Sequence, residues 1–486
     1  MMPSRPVKLA SRAARPARRT LLSMVVASLM ASPAYAADLL TITRDALENN
    51  AELAAARANT RSVEAGLDVQ QGDLLPQVSA SGEVAHNEQF ASQSAAQGGE
   101  AGGGGDDRYN SASLSLNATQ ALYDAVNSAE VEQAKRQIDQ QTYQLAATEQ
   151  QVLLDVATAY FDILRAHEIL EARRAQERAI GRQLEQAREQ FDVGLIAITE
   201  VEEAKASYDQ SRAERIAAES DLQVAFEALE RLTGQRYDSI ESLGDSMSVT
   251  PPQPAKRDAW VERALNKNPQ VLAQKAGVEV ARSGVDVAQA QRLPVVEAFA
   301  NYQYADSDND TLNGEDSTAQ VGVNVSMPLY TGGRTSASIR QGTYDLESSQ
   351  YDFEAQRRDT IQQVRSLFTQ VSNNVATVEA RAQAIVSNRS ALEATRAGYE
   401  VGTRNIVDVL NAEQSLYDAI ANHAEARYDY VINLLTLRQQ SGTLDVDAIE
   451  EVNNWLDENQ SVTFTLPEEG QYEQALDIGE PPQPET

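Results

Sequence analysis

The chain has no cysteine and only three histidines among 486 residues. Without thiols there can be no disulfide staple, no thiolate metal site and no lipid-bearing N-terminal cysteine. His86, His167 and His423 stand far apart with no ligand-like spacing, so neither a metal nor a cofactor is expected. No serine, histidine and acid cluster can be assembled, and the chain does not read as an enzyme. Basic residues are scarce as well: 41 Lys and Arg face 72 Asp and Glu, for a formal charge of −31. That balance argues against nucleic acid as a partner and for a surface or lumen that draws in cations.

Basic charge is concentrated at the start. Arg5, Lys8, Arg12, Arg15, Arg18 and Arg19 precede an apolar run at 21–30 and the triplet Ala34-Tyr35-Ala36. A run that short cannot span a bilayer, so residues 1–36 read as a cleaved export signal using the general secretory route. Its six basic residues leave with no acids, which takes the formal charge from −31 to −37. No later stretch holds 18 consecutive apolar residues, so a transmembrane helix is not expected. The exported chain is then either soluble outside the cytoplasm or crosses an outer membrane as a β-barrel.

Internal duplication organises the rest. FDVGLIAITEV at 191–201 is echoed by YEVGTRNIVDV at 399–409, and in each copy Gly194 or Gly402 interrupts a helical pattern that restarts at once. Such an interruption is a tight helix-to-helix turn. Residues 46–78 align without a gap on 264–296, both as helical segments closed by Leu-Pro. The expected organisation is a first repeat at 37–256, a second at 257–456 and an acidic, disordered tail at 457–486.

Past each proline the apolar residues alternate, at Val78, Ala80 and Val84 and again at Val296, Ala298, Ala300, Tyr302 and Tyr304. A polar loop and a second alternating segment follow in both copies: Ala112, Leu114, Leu116 and Ala118, then Ala319, Val321, Val323, Val325 and Met327. One apolar and one polar face over about ten residues, ending in Tyr123 or Tyr330, is the pattern of a membrane barrel strand; a soluble two-sheet cap is the alternative. Four strands cannot close a barrel, so other subunits must complete it, and a trimer would supply twelve strands. Residues 124–191 and 335–401 then read as proline-free helices of roughly 100 Å, with a heptad seam through Ile361, Val364, Phe368, Val371, Val375, Val378, Ala382 and Ile385. Leu154, Ala157, Phe161 and Leu164 keep the same phase in the first copy. Shorter helices return from the tips at about 199–233 and 404–440, so that two short helices end to end match one long one. Residues 235–257 and those from 441 onward read as an irregular belt. The fold class expected is mainly α with a β-barrel part, and the function classes open to it are a channel, a soluble periplasmic scaffold, and a surface adhesin or receptor.

VGLIAITEV at 193–201, GYEVGTRNIVDVLNA at 398–412 and MPLYTGG at 327–333 resemble the TolC family of outer-membrane efflux and secretion channels, over about residues 39–456. The resemblance implies a homotrimer with a twelve-stranded barrel in outer-membrane lipid and a coiled-coil tunnel in the periplasm. It also implies docking with a periplasmic adaptor protein and an inner-membrane pump or ABC transporter. Carried over residue by residue, it implies closed-state links from Arg404 to Thr199 and Glu200 and from Tyr399 to Glu200. Glu200 stands where the family has aspartate, which keeps the charge and lengthens the reach. A ring of entrance carboxylates falls on Asp408, while the second ring acid falls on Asn411, so one of two acidic rings is missing. Val193, Gly194, Leu195, Val401, Gly402 and Thr403 would face the adaptor. From charge pattern alone, Arg404, Glu200 and Asp408 read as solvated helix-end charges.

Two further motifs carry no chemistry. Asp306, Asp308 and Asp310 mimic the start of a calcium loop, but Thr311 stands where the turn needs glycine and Ser317 where it needs glutamate. The glycine run at 102–105 lacks a following Lys-Ser/Thr and reads as a flexible loop.

Overall fold

The computed structural model describes residues 36–88, 108–244, 247–308 and 314–464. The expected export signal up to residue 35, the glycine run at 102–105, Asp310, Thr311 and the tail from 465 lie outside the described residues. The first copy runs α1 (Leu39–Asn49), α2 (Ala51–Gly72), β1 (Gln77–Glu88), β2 (Arg108–Tyr123), α3 (Ala125–Asp192), α4 (Ile198–Thr233) and β3 (Ser239–Leu243). The second repeats it as α5 (Arg257–Lys267), α6 (Pro269–Ala290), β4 (Val295–Ser307), β5 (Gly314–Ser326), α7 (Arg334–Glu400) and α8 (Ile406–Gln440). It then adds α9 (Val446–Asn453) and β6 (Leu456–Thr463).

The segments aligned at 46–78 and 264–296 are not continuous helices as expected. Each is broken at an asparagine, Asn50 or Asn268, whose ψ of 124° or 120° leaves the helical region. Each asparagine ends one helix with its backbone N–H and starts the next with its side chain, so both helix ends at the break are capped. Periodicity survives such a break, which is why the pattern concealed it.

The main sheet runs β1-β2-β4-β5, antiparallel throughout. Its register lines up Ala80, Leu116, Tyr302 and Ala319 across all four strands, and next to them Val78, Ala118, Ala300 and Val321. Side chains alternate faces along a strand. The opposite face therefore carries Ser79, Asn117, Asn301 and Gln320, then Ser81, Ser115, Gln303 and Thr318. Among the described residues nothing covers the apolar face, where Val84 is 86% and Val321 85% exposed. β1 and β5 end the sheet with edges unpaired among the described residues. Among the described residues no helix is long and apolar enough to cross a membrane.

α3 and α7 have 68 and 67 residues, or roughly 100 Å each. Along its length α3 packs on α2 and α6 toward the sheet, and on α4 and α8 toward the tips. Val364, Val371 and Val378 form the buried line of the expected seam in α7, with Ile361, Phe368 and Val375 partly covered beside them. Leu154, Ala157, Phe161 and Leu164 are all buried in α3.

Between sheet and tips the belt is more ordered than its sequence suggested. β6 pairs antiparallel with β3, so residues 457–463 belong to a strand and not to a tail. Val462 is buried, and Phe464 meets Phe226 edge-on at 5.1 Å with the Arg236 guanidinium 4.7 Å above its ring. Tyr160 donates to the Glu241 carbonyl at 2.7 Å and Tyr430 to the Thr250 carbonyl at 2.8 Å, tying the belt to both hairpins. Burying these hydroxyls without partners would be costly.

Candidate functional site at the hairpin tips

Both tips close by the same hydrogen bonds. In the first, Gly194 N–H donates to the Phe191 carbonyl and Leu195 N–H to the Gln190 carbonyl, each at 2.8 Å. In the second, Gly402 N–H donates to Tyr399 and Thr403 N–H to Gly398, each at 2.9 Å. This pair of bonds requires a left-handed residue after the helix, and Gly194 and Gly402 have φ of 76° and 75°. The turns leave Val193, Leu195 and Val401 at the extreme end, each at least 70% exposed. Gly194, Gly402 and Thr403 are exposed beside them.

A groove of about 550 Å³ between the tips gathers Gln190, Glu200, Tyr399, Gly402, Arg404 and Asn405. Three of the four expected gate residues thus meet, while Thr199 is exposed in the first turn of α4. Within the single chain their bonds go elsewhere. Tyr399 donates to Gln190 Oε1 at 2.8 Å. Burial and then the Glu200 charge push its hydroxyl above the usual tyrosine range, offset by the Gln190 bond, so Tyr399 is a neutral donor. Arg404 pairs with Asp408 at 3.7 Å. Among the described residues no hydrogen bond or ion pair joins Arg404 to Thr199 or Glu200.

Asp408 has a second task that its charge did not announce. It closes a capping box at the start of α8: Asn405 Oδ1 accepts from Asp408 N–H at 2.8 Å, and Asp408 Oδ2 from Asn405 N–H at 3.4 Å. Asn411 lies one turn on and is exposed. Gly398 was missed, although its signal was present as a glycine inside a long helix. A Cβ there would stand 2.8 Å from Arg404 Cγ, so the missing side chain is what lets Arg404 fold back over α7.

The family model described as outer membrane efflux protein matches residues 42–235 and 260–443. Over 428 residues the chain is 34% identical to the outer membrane protein TolC of Vibrio cholerae, covering 87% of this chain and 95% of that one. It is 31% identical over 306 residues to the alkaline protease secretion protein AprF of Pseudomonas aeruginosa, covering 62% and 64%. The backbone superimposes on crystal structures of CusC, reported with transmembrane channel formation, at a TM-score of 0.71 and 18% identity, over 83% of this chain and 92% of that one. With the family match running through both copies of the repeat, the chain belongs to the outer membrane efflux protein family and is an efflux or secretion channel of the outer membrane.

Proposed function

We propose that three copies of the chain form one exit duct, gated at the helical tips and opened by a periplasmic adaptor that couples it to an inner-membrane pump or ABC transporter. One observation carries the assembly. α3 of the first repeat (37–256) packs on α6 and α8 of the second (257–456), and β2 pairs with β4. The repeat-equivalent partners of α7 and β5 would be α2, α4 and β1; among the described residues α7 packs extensively on neither α2 nor α4, and β5 does not pair with β1. A neighbouring copy supplies them, and three copies give a closed ring of twelve strands with the apolar rows turned to lipid. Large exposed side chains on the uncovered faces of these helices, Tyr344 and Tyr351 on α7 and Val224 on α4, fit such a seam.

The tips are then the periplasmic entrance. Glu200, Tyr399 and Arg404 line one groove, and Thr199 of an adjacent tip completes a latch across protomers. Each exposed pair is worth about 0–1 kcal/mol, so a threefold set amounts to a few kcal/mol, within the reach of adaptor binding at Val193, Leu195 and Val401. Release lets the α7–α8 hairpin swing outward. Asp408, repeated three times near the axis, attracts cations, and Asn411 leaves the second ring uncharged. The family's efflux name and the relative named for alkaline protease secretion support efflux and protein secretion as its roles.

Single-channel recording in planar bilayers tests the latch. Arg404→Ala should raise conductance severalfold and, by unpairing Asp408, strengthen block by a multivalent cation that Asp408→Ala relieves. Conductance equal to wild type in Arg404→Ala would sink the latch.

A further inference from the structure

Glu413 is the fully buried acid of α8, with none of its side chain exposed. On one side of it Ile406 and Leu410 pack on Ile180, Leu184 and Ala187 of α3. On the other, Val409 and Leu416 pack on Leu392 of α7. The carboxylate lies where these two apolar seams meet. Its Oε1 accepts from Arg396 Nη2 of α7 at 2.5 Å and from Gln183 Nε2 of α3 at 3.2 Å. Its Oε2 is buried with no hydrogen-bond partner.

The two bonds are unequal. Within the second hairpin the link to Arg396 is short and ionic, whereas the link across to the first hairpin is long and uses a neutral amide. When α8 parts from α3, the first can persist and the second must break. A buried oxygen with no donor raises the free energy of the closed seam, and water reaches that oxygen only when the seam opens.

We propose that Glu413 is a positioning residue of the gate: it binds α7 to α8 as one moving body and keeps the α3–α8 seam separable. This rests on the tip latch proposed above. The latch holds the tips shut, and the unsatisfied carboxylate beneath it works in the opposite sense. An apolar side chain of similar bulk would seal the seam, because it removes the buried oxygen that lacks a donor. Arg396, 44% exposed, keeps solvent when its partner is removed.

The experiment compares single-channel conductance of the full-length trimer as wild type, Arg404→Ala, Glu413→Leu and the double variant, with hydrogen exchange over residues 180–190 in the same samples. The expected result is that Glu413→Leu abolishes the increase caused by Arg404→Ala and slows exchange in that stretch. A double variant that conducts like Arg404→Ala alone, or a Glu413→Leu trimer that opens further, overturns the role of Glu413 and leaves the latch standing. If Arg404→Ala itself does not raise conductance, the latch fails, and exchange alone decides: slower exchange supports the seam, and unchanged or faster exchange overturns it. Should Glu413→Leu not assemble, Glu413→Met, apolar and closer in length to the native side chain, must shift both readouts in the same direction.

Discussion

Asn268 stands to the second return helix as Asn50 stands to the first. The Asn268 side-chain amide donates to the Gln440 carbonyl at the end of α8 at 2.8 Å, and that of Asn50 to the Leu232 carbonyl at the end of α4 at 2.9 Å. Each Oδ1 caps the following helix, and each backbone N–H closes the preceding one. One buried residue therefore serves three helix ends in both copies. Asn268→Ala loses a cap and leaves a buried carbonyl unpaired, an expected cost of about 2–4 kcal/mol. Asn268→Asp keeps the cap but sets a carboxylate against the Gln440 carbonyl and should be at least as harmful. Thermal dissociation of the trimer measures both; a loss below that of an exposed Asn411→Ala control would contradict the triple role.

Gly442 and Gly234 end the two return helices with φ of 69° and 68°, yet their surroundings differ. A Cβ on Gly442 would collide with the backbone of Lys267 and Asn268, while one on Gly234 meets nothing within 4 Å. Gly234→Ala should cost about 1–2 kcal/mol from backbone strain alone. Gly442→Ala should cost more than that, because backbone must move. Equal losses in trimer melting would refute the contrast.

Gly398→Ala should act on the entrance without substituting any latch residue. The new methyl displaces Arg404, so the Arg404–Asp408 pair opens and conductance rises toward the value of Arg404→Ala. In the double variant the two changes should not add, since both remove one interaction. Additive effects in bilayer recordings would separate Gly398 from Arg404.

Two histidines make stability depend on mild acid. Burial is the main cause that lowers the pKa of His167 in α3 and of His423 in α8 below the usual 6.5; Arg427 adds to it at His423 and Glu168 partly offsets it. Between the folded and the ordinary value the unfolded chain holds more protons. Their contribution is therefore complete above 6.5 and is lost as pH falls through the folded pKa. Going from about pH 7.5 to about pH 5.5 should therefore reduce the contribution of His423. Comparison with His423→Gln isolates it, because other groups titrate alike in both; parallel pH profiles would exclude the histidine.

Much of the architecture was legible because it is periodic. Alternation at Ala319, Val321, Val323 and Val325 gave a strand with one apolar face, and the Val364–Val371–Val378 spacing gave a helix with one buried line. Duplication doubled each signal. Features that depend on one residue meeting a distant one left no period. Asn50 and Asn268 sit inside unbroken helical patterns, and β6 draws its pairing from β3, more than 200 residues earlier.

The tips show the same division. By itself the sequence determined the two turns, since only glycine takes the left-handed backbone there cheaply, and it determined which charged residues stand near them. Only the tertiary structure decided what those residues touch: Tyr399 on Gln190, Arg404 folded over Gly398 onto Asp408, and Glu413 between two hairpins with one oxygen unpaired. Backbone preference is local and can be read along the chain. A side-chain bond is set by the angle at which two long helices pass, and it forms only once they pack.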